Sequence, residues 1–434
     1  MLVFRRYQGQ FHAPRNLNVH EHRCVRSHAL ATLIIAAVPA IGSAQTIQWS
    51  RQFGTAAHDR AFAIAANASG VYVAGATEGA LPGQQNAGAV DAFVRKYDIN
   101  GTEIWTRQFG TSGINEILAI AVDESGIYVA GDTQGTLPGQ TSALRFAKHA
   151  FVRKYDLDGA EVWTTEFGGG RSEEVLAMAV GTAGVYAAGD TTVFAPPYDD
   201  AFVATFDFGS GPGWSRAIGT PTPDRASAIA VRASGVYVAG ATQGTLPGQT
   251  SAGDSDGFLR KYDVDGTEVW TRQFGTSGSD EILSMALDGS GLYLAGISTG
   301  TMAGQTSTGE FNAFVRKYDF NGQPVWTRQF GTPEYDDALG IAVNARGVYV
   351  AGNTKGALPG HANAGDYDAF VRKYDPTGGE LWTQQFGSNG HDEVLGIAVD
   401  GSGVYAAGVT DGALPGQRNN GSFDAFVVKL QDAR

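Results

Sequence analysis

The sequence predicts an all-β protein, a seven-bladed propeller of four-stranded blades, and three observations support this. The chain of 434 residues contains 60 Gly, 23 Phe, 16 Tyr and 7 Trp and shows few long helical patterns, which favours β structure. All seven tryptophans fall in one repeating column, at intervals of 51 to 58 residues. Each repeat contains four short strand-like segments, and four-stranded units of about 40 to 60 residues are typical of propellers.

The N-terminal segment differs from the rest of the chain in composition. It holds five arginines, one glutamate and the only cysteine, Cys24, and residues 29–42 form an apolar run that ends in small residues. At 14 residues this run is short for a membrane span and typical of a secretory signal,. We therefore expect cleavage after Ala44, a signal region at 1–44 that is removed, and a single propeller domain at 45–434. A membrane anchor is the alternative, and the long basic stretch before the run leaves the true start codon open.

Charge and cysteine content limit the function classes. Removal of the signal region lowers the formal charge from −13 to −17 and leaves no cysteine, so disulfides do not stabilise the mature chain. A chain this acidic is a poor match for nucleic acid. We expect a monomer in the periplasm, secreted or at the cell surface, which is not embedded in the membrane when mature.

Four strands, here named A, B, C and D, are predicted in each unit. In the fifth unit they read EILSMALD at 281–288, GLYLAGIS at 291–298, NAFVRKYD at 312–319 and PVWTRQFG at 324–331. The A–B and C–D links, such as DGSG and DVDG, open with Asp or Asn and close with Gly, as tight β-turns require.

A column of small residues in the A strands indicates close packing around an axis. Its members are Ala63, Ala119, Ala177, Ala228, Ser284, Gly340 and Gly396, and alanine follows two residues later in every unit. Alternation places both positions on one face of each sheet. Blades converge towards a central axis, so we expect this face to admit the neighbouring blade.

The strand count predicts how the ring closes. The C-terminal unit has A, B and C strands but is followed by no D strand, and the segment IQWSRQF at 47–53 has the D pattern. The N-terminal strand is therefore expected to complete the last blade, which clasps the two ends of the ring together. Strands are expected within about 47–430.

The repeat pattern AIAV-x(2–4)-G-VYVAG-T…DAFV-x-K-YD-x-x-G-x-x-W resembles the bacterial SBBP (seven-bladed β-propeller) repeat family and is more distantly similar to NHL-type propeller repeats. The resemblance covers about 47–430. It implies an extracytoplasmic scaffold in an exported or cell-surface bacterial protein, and it implies no particular chemistry.

Binding is expected on the face that carries the D–A and B–C loops, here the upper face, because these loops are longer and more varied. Its B–C loops repeat the motif Leu-Pro-Gly-Gln, which we interpret as a structural lid. The alternative is that the glutamines form a polar ring that binds a ligand. Acidic residues recur in its D–A loops. They are interpreted as residues that stabilise the turns, and the alternative is a negatively charged rim that attracts cations. The candidate binding residues of this rim are Asp59, Asp224, Asp280, Asp336 and Asp392.

Two further features break the symmetry of the repeat. His58 and His391 occupy the same D–A position in neighbouring units and form a candidate site for a divalent cation, the one cofactor that the sequence leaves open,. Unit 3 lacks the Leu-Pro-Gly-Gln loop, and its Phe194 and Tyr198 are candidates for an apolar notch where a partner docks,. Sequence drift is the alternative interpretation of unit 3.

No nucleophile signature such as Gly-x-Ser-x-Gly or His-Glu-x-x-His occurs in the chain,. The sequence therefore favours a binding or interaction scaffold for an unidentified protein or glycan ligand. A metal-dependent lyase or hydrolase that uses the upper-face histidines is the second interpretation. A passive structural protein of the cell envelope is the third.

Overall fold

The computed structural model describes residues 46–141, 148–168, 172–192, 200–208 and 211–432. Within these residues, 28 strands form seven four-stranded antiparallel sheets, and no helix occurs. The described part of the chain accordingly offers no helix of the length and apolarity needed to cross a membrane. The predicted signal region at 1–44 lies outside the described residues.

The strands are numbered along the chain, and each blade takes four of them. Blade 1 comprises β2 Asp59–Asn67, β3 Gly70–Thr77, β4 Asp91–Tyr97 and β5 Glu103–Phe109. Blade 2 comprises β6 Asn115–Asp123, β7 Gly126–Gln134, β8 Lys148–Tyr155 and β9 Glu161–Phe167. Blade 3 comprises β10 Ser172–Gly181, β11 Gly184–Thr192, β12 Asp200–Phe206 and β13 Pro212–Ile218. Blades 4 and 5 comprise β14 Asp224–Arg232, β15 Gly235–Thr242, β16 Asp256–Tyr262, β17 Glu268–Phe274; and β18 Asp280–Leu287, β19 Leu292–Ser298, β20 Asn312–Tyr318, β21 Pro324–Phe330. Blades 6 and 7 comprise β22 Asp336–Asn344, β23 Gly347–Thr354, β24 Asp368–Tyr374, β25 Glu380–Phe386; and β26 Asp392–Val399, β27 Val404–Thr410, β28 Asp424–Leu430 with β1 Ile47–Phe53.

The sheets form a closed ring. The A strand of each blade contacts the A strand of the next, and β26 of blade 7 contacts β2 of blade 1. The seventh sheet has the order β1-β28-β27-β26, with Phe53 opposite Ala425 and Trp49 opposite Lys429. Both the seven-bladed propeller and its closure by residues 47–53 are therefore confirmed.

The small-residue column lies where blades meet. A Cβ added to Gly340 would come within 3.0 Å of Ile397 in blade 7, and one added to Gly396 within 3.3 Å of Ile64 in blade 1. The isoleucine of the next A strand therefore packs directly on the small residue, as the taper towards the axis predicts.

The tryptophan column fastens blades together on the lower face, where the A–B and C–D turns lie. Trp49 Nε1 donates a hydrogen bond to Ile99 O at 3.1 Å, and Arg51 Nε donates to Gly101 O at 2.7 Å. Gly101 has φ +80°, and a side chain there would strike the Trp49 ring, so glycine is required. The same arginine contact to the next blade recurs at Arg107–Gly159, Arg216–Gly266, Arg272–Gly322 and Arg328–Gly378.

One local feature of the blades was not predicted. Every A strand carries a β-bulge after its third or fourth residue, such as the register shift between Ala61 and Ala63 in β2. Simple alternation of large and small residues does not reveal an inserted residue. The B strand always presents glycine to the bulge, at Gly75, Gly131, Gly189, Gly240, Gly296, Gly352 and Gly408.

The B–C loops act as lids, as predicted. Leu81 is buried, Gln84 N donates to Leu81 O at 2.8 Å, and Gly83 has φ +74°. The glutamine of the loop turns inward, because Gln84 Oε1 accepts a hydrogen bond from Gln108 N of the D strand at 3.0 Å. This contact supports the structural interpretation over an exposed polar ring.

Candidate binding site

The five predicted rim aspartates lie buried at the blade junctions. Each begins an A strand, is 0–1% exposed, and accepts hydrogen bonds from the D–A loop four residues earlier. In blade 1, Thr55 N and Thr55 Oγ1 donate to Asp59 Oδ2 at 2.5 and 3.0 Å. This geometry supports the turn-stabilising interpretation of the aspartates, and their contact with a ligand stays a prediction.

A second carboxylate meets four of these aspartates from the preceding blade. Asp424, at the start of β28, lies near Asp59, and a Cβ on Gly54 would approach an oxygen of both residues more closely than 3.0 Å. The corresponding pairs are Asp200 with Asp224, Asp256 with Asp280, and Asp368 with Asp392. The glycine that follows the D strand thus leaves room for two carboxylates at one junction.

Two junctions show that one member of the pair can be an amide. Asn115 lies near Asp91 in the junction of blades 1 and 2, and Asn312 of blade 5 takes the position that Asp424 holds in blade 7. Burial raises the pKa of Asp59 and of Asp424, and the charge of Asp424 raises that of Asp59 further. The Asp59–Asp424 junction is therefore more favourable when a proton is present.

We expect the free energy of unfolding to fall as the pH rises above about 4, until the pH has passed the folded-state pKa of these carboxyl groups,. A folded-state pKa above the unfolded value of about 3.9 means that the folded chain binds the proton more tightly, so its contribution is lost as the pH passes the folded pKa. Burial acts in the same direction on Asp224, Asp336 and Asp392. Urea unfolding at pH 5 and pH 8 measures the slope.

The Asp424→Asn variant should flatten this slope and unfold at a higher urea concentration than the natural chain at pH 8. The reason is that it places an amide where blade 5 already has Asn312. Asp254→Asn, at an exposed loop position, is the matched control and should leave the slope unchanged. A natural chain whose stability is constant or rises between pH 5 and pH 8 would contradict the interpretation.

The next residue of each A strand forms a charged column that the sequence reasoning missed. Its members are Arg60, Glu116, Glu174, Arg225, Glu281, Asp337 and Glu393. Burial lowers the pKa of Arg60, while Glu78, Glu116, Asp59 and Glu393 raise it, so charges of blades 7, 1 and 2 meet around this guanidinium. The signal was visible in the sequence as a position charged in all seven units.

The aromatic arc breaks the symmetry of the described part of the upper face. At five blade junctions within the described residues, the residue before a C strand pairs in a parallel bridge with the residue before the next A strand. These bridges are Val90–Ile114 and Ser255–Ser279 on one side of the ring, and Phe311–Tyr335, Tyr367–His391 and Phe423–His58 at three consecutive junctions. We define the aromatic arc as those last six residues, all of which are half-buried.

The rings of the aromatic arc form one continuous series. Successive ring centroids are 5.2, 5.8, 4.6, 6.2 and 5.5 Å apart from Phe311 through Tyr335, Tyr367, His391 and Phe423 to His58. These spacings are those of favourable aromatic pairs. The arc therefore presents a connected aromatic surface that spans blades 5, 6, 7 and 1.

Acidic groups lie along the arc. His391 Nε2 lies 2.7 Å from Glu393 Oε1, and His391 Nδ1 lies 3.8 Å from Asp366 Oδ2. Burial alone would lower the pKa of His391, but the hydrogen bond with Glu393 and the charges of Glu393, Asp411 and Asp366 raise it. Burial also raises the pKa of Asp337 well above its usual range, and Glu393 adds to this effect.

The two candidate metal-binding histidines both lie near the ring of Phe423. The His58 and His391 rings are 5.5 and 6.2 Å from the ring of Phe423, and His391 Nε2 faces Glu393. Among the described residues, no group of three or more His, Cys, Asp or Glu side chains has an arrangement that could hold a metal ion. Cation binding by His58 and His391 stays a prediction. The unit 3 notch with Phe194 and Tyr198 lies outside the described residues.

Comparison with known proteins gives partial matches. No family model matches the chain. The regulatory protein FlaEY of Caulobacter vibrioides is 30% identical over 184 residues, which cover 38% of this chain and 19% of FlaEY. An uncharacterized WD repeat-containing protein of Acanthamoeba polyphaga mimivirus is 23% identical over 415 residues, covering 80% of this chain and 29% of that protein. The chain thus spans less than a third of either relative.

Solved structures with similar folds are distant in sequence. The WD40 β-propeller domain of Doa1 has a TM-score of 0.49 and 10% identity, covering 90% of this chain and 98% of that domain. Drosophila Plexin A in complex with Semaphorin 1b has a TM-score of 0.46 and 9% identity, covering 89% of this chain and 87% of that one. The seven four-stranded sheets of the chain itself define it as a seven-bladed β-propeller.

Proposed function

We propose that this protein is a binding module whose ligand site is the upper-face surface formed by the aromatic arc and the charged column. The proposal rests on the observation that the blades differ from one another at the aromatic arc. The lower-face Trp and Arg contacts and the buried junction residues recur in most blades. Among the five junctions at which the structure describes this bridge, the arc gathers aromatic residues at three adjacent ones.

Architecture alone does not require this asymmetry. The Ser255–Ser279 bridge closes its junction with small polar residues, and Val90–Ile114 closes another with aliphatic ones. Tyr367, His391 and Phe423 instead place partly exposed rings at a rim. Aromatic residues are enriched at binding surfaces because they bury a large area and lose few rotamers when bound.

The proposal extends to family and location. The repeat pattern supports membership of the bacterial SBBP repeat proteins, and the apolar run at 29–42 supports export to the periplasm, the medium or the cell surface,. The ligand is a protein or a glycan in that compartment. N-terminal sequencing of the exported chain tests the location, and a mature N-terminus at Gln45 is the supporting result.

A peptide and glycan array probed with the labelled full chain tests the binding proposal. The natural chain is compared with the upper-face variant Tyr367→Ala/Glu393→Gln and with Leu381→Ala/Glu380→Gln. The latter removes one large side chain and one acid from exposed positions at the outer edge of blade 6. The upper-face variant should lose the array signals and the control should keep them. Equal signals for all three proteins would refute the proposed site.

A further inference from the structure

We propose that the aromatic arc recognises lysine ammonium groups of an extended basic peptide segment. This inference rests on the proposed binding function and names the chemistry of its ligand. A cation over the face of an aromatic ring is stabilised by the ring's electron distribution, and more so when a carboxylate is nearby. The arc provides rings and carboxylates side by side.

The chain itself shows that an ammonium group fits this surface. Lys355 Nζ lies 5.4 Å from the centroid of the Tyr367 ring and 3.5 Å from Asp366 Oδ1. The side chains of Lys355 and Asp366 are 44% and 59% exposed, so water surrounds this contact and a ligand can compete for it. Lys355 therefore marks a position that a ligand's ammonium can take.

The charge around the arc favours a cationic ligand. Asp366, Asp411 and Glu393 all act on His391 at the centre of the arc. Lys355, Arg60 and the protonated form of His391 are the cations that the described contacts place beside these acids. A mature chain of charge −17 would also speed the approach of a basic segment.

The spacing of the rings indicates an extended peptide. Successive centroids along the arc lie 4.6 to 6.2 Å apart, whereas alternate side chains of a β-strand lie roughly 6.6 Å apart on the same face. Lysines at every second residue can therefore meet successive positions of the arc. Neutral saccharides also stack on aromatic rings but carry no positive charge to pair with the surrounding carboxylates, so we favour the peptide.

Calorimetric titration of the full chain with an alternating Lys-Ser octapeptide tests the inference. The same peptide with Nε-acetylated lysines removes the charge while keeping the chain length. The natural chain should bind the Lys-Ser peptide, and this affinity should fall markedly when the salt concentration rises. It should bind the acetylated peptide at least about tenfold more weakly.

Four single variants locate the contact. Tyr367→Ala and Asp366→Asn should each weaken binding about five- to thirtyfold, while Tyr367→Phe should retain it because the ring remains. Lys355→Met should tighten binding, since the competing ammonium is removed, and loss of fold cannot mimic a gain in affinity. Ser279→Ala, at the position that His391 holds in blade 7, is the matched control and should have no effect.

The outcomes separate this inference from the proposed function. Equal binding of the charged and acetylated peptides, or unchanged affinity in both Tyr367→Ala and Asp366→Asn, would overturn the lysine inference. Array signals from neutral glycans that depend on Tyr367 and Glu393 would also overturn it while leaving the upper-face binding function intact. Absence of any upper-face-dependent signal would overturn both.

Discussion

Replacing Gly75 with alanine should destabilise the protein by about 3 kcal/mol or more, or prevent folding altogether. Gly75 lies in β3 opposite the bulge of β2, and an added Cβ would approach the carbonyl oxygen and carbon of Arg60 much closer than real Cβ atoms do. Overpacking typically costs 1–3 kcal/mol, roughly, when side chains can yield. Here the obstacle is the backbone of the innermost strand, which is fixed by its ladder and by the neighbouring blade.

Urea or guanidinium unfolding measures this effect against a matched alanine substitution. Gly289 lies in the A–B turn of blade 5, and an added Cβ there meets no atom within 4 Å. Gly289→Ala should therefore shift stability by no more than about 0.5 kcal/mol. A loss below about 1 kcal/mol for Gly75→Ala would show that the A-strand bulge relaxes freely, contrary to this account.

A chain that lacks residues 46–53 should no longer show a cooperative unfolding transition. β1 is the outer strand of blade 7, Phe53 packs edge-on against Phe93 of blade 1 at 5.7 Å, and Arg95 lies 4.0 Å from the Phe53 ring. Trp49 and Arg51 hold the C–D turn of blade 1. The deletion therefore exposes the edge of β28 and removes the contacts that β1 makes with blade 1.

Adding the missing strand as a separate peptide tests this interpretation further. The octapeptide TIQWSRQF should restore a cooperative thermal transition to the deleted chain in a concentration-dependent way. The same peptide with alanine in place of Trp49 and Phe53 is the control and should fail. A deleted chain that melts within a few degrees of the natural protein would show that β1 does not clasp the ring.

Several features of the fold follow from individual sequence columns. The tryptophan column predicted one D strand per blade, and the structure shows why tryptophan suits it: in Trp49, Trp214 and Trp326 the indole N–H reaches the C–D turn of the next blade. The small-residue column predicted the close packing of A strands. The missing final D strand predicted β1 in blade 7. These columns are repeated, so independent copies support each inference.

The candidate site was less accessible from the sequence. The sequence pattern places Asp59 and its equivalents at the ends of the upper-face loops, but it does not reveal that each begins an A strand and accepts hydrogen bonds from the loop backbone. The aromatic arc joins Phe311 to His58, and these residues become neighbours only through blade-to-blade bridges and ring closure. The bulge escaped detection because an inserted residue resets the alternation, although the invariant glycine opposite it was a usable signal.

The most direct test of the binding site is hydrogen–deuterium exchange of the full chain with and without the alternating Lys-Ser peptide. We expect slower exchange in the loops that carry the aromatic arc, around residues 311, 335, 367, 391 and 423. We expect no change around Val90, Ile114, Ser255 and Ser279, which occupy the same bridge positions elsewhere in the ring. Protection spread evenly over all blades, or confined to the lower-face turns, would contradict binding at the arc.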